Sequence, residues 1–116
     1  MNKKFFAFLS VLFFVSTLLI AATPTAENVC TRYENIAREF SALATNVSKN
    51  PQLLESDETA SKLQKLQQRL NSVSIDVKYL NYDKVSENHV NRITEATRKI
   101  EQAQLKILSA SQKYMN

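Results

Sequence analysis

The sequence contains no glycine and no tryptophan, and only two prolines, one cysteine and one histidine in 116 residues. At the usual frequency of about 7%, a chain of this length would hold roughly eight glycines. Glycine lets a backbone take positive φ or come close to a phosphate. Its absence therefore excludes Gly-rich phosphate loops, the dinucleotide fingerprint and the nucleophile elbow of serine hydrolases. It also disfavours the tight hairpins of a small all-β fold. One histidine and one cysteine fall short of the roughly four ligands of a structural metal site, and no pair of carboxylates is spaced for acid–base work. The chain reads as non-enzymatic, with no catalytic, cofactor-binding or metal-ligating residue and no cofactor.

An excess of positive charge is also nearly missing. Lysine and arginine total 15 against 11 acids, a formal +4. Lys3 and Lys4 belong to the N-terminal leader, which leaves 13 bases against 11 acids beyond it. That balance does not describe a nucleic-acid binder.

The N-terminus has the layout of a targeting segment. Met1-Asn2-Lys3-Lys4 is a short basic region, and Phe5 to Ile20 is an almost unbroken apolar run. Residues 1–22 are expected to be a secretory signal peptide or an N-terminal membrane anchor. No clean A-x-A precedes the mature part: a cut after Ala22 puts Ile20 three residues from the bond, and one after Ala26 puts Pro24 there. In both cases Lys3 and Lys4 stay in the cytoplasm and the rest is exported, to the periplasm or beyond the cell if cleaved, or held at the inner membrane if not. Asn28-Val29 before Cys30 does not resemble a lipidation site.

Beyond Thr23 the apolar positions alternate between spacings of four and three. Val29, Tyr33, Ile36, Phe40, Leu43 and Val47 form one such seam, and Leu63, Leu66, Leu70, Val73, Val77 and Leu80 a second. Ile93, Ile100, Ile107 and Tyr114 recur every seventh residue. A sustained 3.5-residue period keeps one seam aligned along a helix for coiled-coil-like packing. The expected fold is all-α: residues 23–116 form an antiparallel, up-down-up three-helix bundle with helices near 24–48, 56–80 and 84–114. Thr23-Pro24 is the expected start of the first helix and Asn50-Pro51 its end. Ser56-Asp57-Glu58 caps the second, and Asp83 or Ser86 the third. The segment from Pro51 to Glu55 is left undecided. Two lines of small residues, Cys30-Ala37-Ala44 and Ala96-Ala103-Ala110, suit close approach of the first and third helices.

Few side chains carry a chemical suggestion. Cys30, unpaired in an exported chain, is a candidate for an intermolecular disulfide, although its place beside Ala37 and Ala44 equally suits a buried small residue. His89 reads as a satisfied residue at the edge of the apolar face. Glu34 and Arg38, Glu58 and Lys62, and Glu95 and Lys99 are spaced for i,i+4 pairs. Arg92, Lys99, Lys106 and Lys113 form a basic row at heptad spacing, a candidate contact for an anionic surface or an acidic partner. No aromatics are interleaved with it, which disfavours nucleic acid.

The function expected from these features is that of a small exported helical protein binding another protein through exposed helix faces. Homodimerisation would add burial to a core near the lower size limit. Membrane contact is expected only through residues 1–22 if they are retained, in which case the chain is a tethered structural coiled-coil element. An apolar ligand held in the bundle core is a third reading.

Overall fold

The fold follows from where the chain can be capped. A computed structural model describes residues 24–115; the expected signal or anchor segment, residues 1–22, lies outside the described residues. Three α-helices, α1 (Ala26–Lys49), α2 (Asp57–Val77) and α3 (Glu87–Met115), are joined by 3₁₀ turns at Pro51–Glu55 and Tyr82–Lys84, with no strand among the described residues. None of these helices is long and apolar enough to cross a membrane.

Helix α1 begins later than the Thr23-Pro24 pair suggests. Its N-cap is Thr25, in extended conformation, whose Oγ1 accepts from the Asn28 N–H at 3.1 Å. That bond satisfies one of the donors left open at a helix start, and it leaves Pro24 just before the cap rather than at the first helical position. The helix stops where expected: Asn50 leaves the helical region before Pro51, and its N–H still reaches the Asn46 carbonyl at 2.9 Å. Pro51–Glu55, undecided from sequence, then winds into a 3₁₀ turn that buries Leu54 in the core.

Ser56 caps α2 as expected, with Asp57 and Glu58 in the first turn. The helix ends at Val77, three residues before Leu80. Lys78, Tyr79 and Leu80 tighten into i→i+3 bonds to the carbonyls of Ile75, Asp76 and Val77. Leu80 is nevertheless buried, so the second seam outlasts the helix that carries it. Asp83 is taken up by a local turn in which its N–H donates to Asn81 Oδ1 at 3.1 Å. The cap of α3 is therefore Ser86, and the helix starts at Glu87 rather than near 84. Ser86 Oγ accepts from the His89 N–H, and the Ser86 N–H donates to His89 Nδ1, both at 3.1 Å. This is a capping box with histidine in the position usually held by Glu or Gln.

All six positions of the first seam are buried, with Phe40 and Ile36 the largest fully enclosed side chains. Leu63, Leu66 and Val73 of α2 and Ile100 and Ile107 of α3 close on them. The last heptad position departs from expectation. Tyr114 is 38% exposed, and its hydroxyl donates to Glu55 at 2.6 Å instead of entering the core. Both lines of small residues are buried along their whole length, and α1 packs more closely on α3 than on α2. Small side chains permit that approach.

The contacts also give direction. Glu39 pairs with Arg69 at 2.7 Å and Arg32 with Asp76 at 2.5 Å, so numbers fall along α2 as they rise along α1. From Cys30 with His89, through Glu34 with Arg92, to Glu55 with Tyr114, numbers rise together at separations of 58 or 59.

A basic groove between the first and third helices

Arg92 sits where α1 and α3 begin, and two acids one heptad apart on α1 converge on it. Its Nε and one terminal nitrogen donate to the two oxygens of Glu34 at 3.1 and 2.6 Å, and the other terminal nitrogen donates to Glu27 at 2.7 Å. The planar guanidinium makes this fork possible where a lysine would make a point contact. The charge-assisted bonds from Arg92 hold both carboxyls below their ordinary value and push the guanidinium's own value up. Arg92, expected as the first member of an anion-binding row, thus has each of its three nitrogens bonded to a carboxylate.

Local ion pairs follow the same preference for arginine. Glu58 and Lys62 pair at 3.2 Å as expected, both exposed. Glu34 reaches across to Arg92 rather than along α1 to Arg38, and Glu95 forms a two-pronged bond with Arg98 rather than with Lys99. Arg38 and Lys99 are left near Glu34, where their fields help to lower its pKa, but neither forms an ion pair among the described residues.

These residues bound an open groove of ≈ 870 Å³ along the outer side of the α1–α3 contact. Ala37 and Ala96 line its floor, and Arg38, Ser41, Lys99 and Gln102 its banks. Lys106 and Lys113 continue the α3 bank at heptad spacing, and Lys49 lies at the end of α1, all exposed. The basic row named from sequence is therefore kept at Lys99, Lys106 and Lys113, loses Arg92 to an internal bond, and gains Arg38 and Lys49. Those two escape a row read at heptad spacing along α3 because they lie on another helix, where Arg38 reads as a partner of Glu34. The signal was present in Ala37-Arg38 and in the parallel small-residue lines, which bring the flanking positions of both helices to one edge. A second, narrower groove between α1 and α2, floored by Leu43 and Leu66, is bridged by the Glu39–Arg69 pair.

Cys30 is 0% exposed, and its thiol donates to the His89 carbonyl at 3.4 Å. Burial raises its pKa and keeps it protonated. In this conformation its sulfur is not presented to a second chain, as an intermolecular disulfide requires. His89 is bound at both nitrogens, with Ser86 at Nδ1 and Glu27 3.4 Å from Nε2. No group of three or more His, Cys, Asp or Glu among the described residues is placed to hold a metal ion.

Comparison with protein-family models, with curated proteins and with solved structures gave no match.

Proposed function

We propose that the chain is a small exported, non-enzymatic helical protein, an up-down-up three-helix bundle with coiled-coil-like packing, that binds another protein through the face shared by α1 and α3. The observation that carries this reading is the sign of the charge on that face. Arg38, Lys49, Lys99, Lys106 and Lys113 form no ion pair among the described residues, whereas Glu27, Glu34 and Glu95 are engaged by Arg92 or Arg98. Unpaired cations in one sector favour an anionic partner through complementary potential.

The test is capture from the exported fraction with the wild-type protein and with a Lys99→Glu, Lys106→Glu, Lys113→Glu variant. A partner retained by the wild type and lost by the variant, with Tm unchanged, supports the reading. A partner retained equally by both overturns it. A second reading, a membrane-tethered structural element, draws on the long apolar run from Phe5 to Ile20 and the lack of a clean cleavage motif. The intact mass of the exported protein decides between them: retention of Met1–Ala22 selects the tether, and its loss selects the free binder.

A further inference from the structure

We infer that the partner element of the α1–α3 groove is an acidic helix whose Asp or Glu side chains recur at heptad spacing. The inference rests on the protein-binding reading above and names the chemistry of the partner. The α3 bank carries Lys99, Lys106 and Lys113, about 10.5 Å apart along the helix axis at 1.5 Å per residue. On the α1 bank, Arg38 and Lys49 are eleven residues apart, about three turns, and so share one side of their helix. The cations thus form two straight lines that start on the banks of the groove, at Arg38 and Lys99, and run on past it toward the C-terminal ends of both helices.

The two acids that line the groove, Glu34 and Glu95, are engaged by Arg92 and Arg98, and little other negative charge lies along the two lines. Between Arg38 and Lys49 the one acid is Glu39, which turns to Arg69 on α2. Between Lys99 and Lys113 the one acid is Glu101; two residues from Lys99, it lies about 160° away around the helix. A facing helix with carboxylates at positions i, i+7 and i+14 matches the α3 line tooth for tooth. An extended strand, at about 3.3 Å per residue, does not repeat on one face at that pitch.

The small polar residues set among the cations disfavour the other polyanions. Ser41, Thr45, Ser48, Gln102 and Ser109 supply hydroxyls and an amide beside the cations. None of these is an aromatic or large aliphatic side chain of the kind that enters a lipid interface or stacks on a base.

The experiment uses protein purified from the exported fraction and fluorescence anisotropy with a labelled synthetic helix of about 20 residues bearing Glu at every seventh position. Its controls are a scrambled peptide of the same composition, phosphatidylglycerol vesicles and a single-stranded oligonucleotide. The heptad peptide is expected to bind about tenfold more tightly than the scrambled one, and the Lys99→Glu, Lys106→Glu, Lys113→Glu variant to lose about that factor. A charge-matched control, Lys62→Glu, Lys65→Glu and Lys78→Glu along α2 and its C-cap, is expected to bind like the wild type. Equal binding of both peptides, equal weakening by the α2 control, or binding of vesicles or oligonucleotide in preference to the heptad peptide overturns the inference. If the peptide fails while capture from the exported fraction still depends on the α3 lysines, the acidic-helix inference alone falls; if both fail, the protein-binding reading falls with it.

Discussion

Two residues carry more than their share of polar strain and polar relief. Gln67 is buried at 8% exposure; its Nε2 donates to Asn71, but its Oε1 finds no partner. A buried acceptor left unpaired costs about 1–3 kcal/mol, and methionine has nearly the same length without the amide. Gln67→Met is expected to stabilise the fold by about 1 kcal/mol, raising Tm by roughly 4–8 °C; a calorimetric scan showing a lower Tm would contradict this account. Arg92 provides the relief. Glu27 and Glu34 have folded pKa values below their ordinary 4.5. Their contribution is complete above the unfolded carboxylate value and is lost as pH falls through the lowered folded values. Arg92→Leu should therefore be less stable at neutral pH and lose less of its Tm on acidification below 4.5 than the wild type does. Parallel Tm–pH curves for the two proteins would show that the fork adds nothing.

At the scale of elements, the alanines of α3 set how near it can come to α1. Ala103→Leu places a branched side chain where the present one is 4% exposed. Overpacking of this kind costs about 1–3 kcal/mol, read as a lower urea midpoint; the same midpoint as wild type would mean that the helices are not in close contact there. The apolar spacing made such packing legible, because burial selects a face and a face recurs with the helical period. The seam of α1 is buried at every position named from sequence, and Leu80 stays buried past the end of its helix. Tyr114 broke the pattern because its hydroxyl found Glu55, on a segment whose shape the heptads do not encode. Glu58 and Lys62 pair as their spacing foresees, but the other two expected pairs fail for a related reason. Spacing along one helix foresees Glu34 beside Arg38 but says nothing of Arg92, 58 residues away, offering a better-shaped partner. The groove was half visible for that reason: its α3 bank is a repeat within one segment, and its α1 bank joins it only through tertiary structure.

For the whole molecule, stability rests on a single small core. Phe40 is fully enclosed among residues of all three helices. Its replacement by alanine should cost about 3–5 kcal/mol, a large part of the roughly 5–15 kcal/mol typical of such domains. Circular dichroism of Phe40→Ala is expected to show a large drop in Tm, with a substantial unfolded fraction at 37 °C; a near-wild-type melting curve would mean that this ring is not central.

The lines of small residues leave a problem of indexing. Cys30, Ala37 and Ala44 repeat at the same interval as Ala96, Ala103 and Ala110, so sliding α3 by one heptad along α1 would mate nearly identical notches. Alanine alone cannot tell one setting of that ratchet from the next. The Arg92 fork can: moved seven residues toward the C-terminus of α1, it would keep Glu34 but exchange Glu27 for Ser41. Tyr114 would leave Glu55 in the same slip. The polar contacts at the two ends thus act as detents on an otherwise sliding scale, and cutting both should free the rods to settle in more than one alignment.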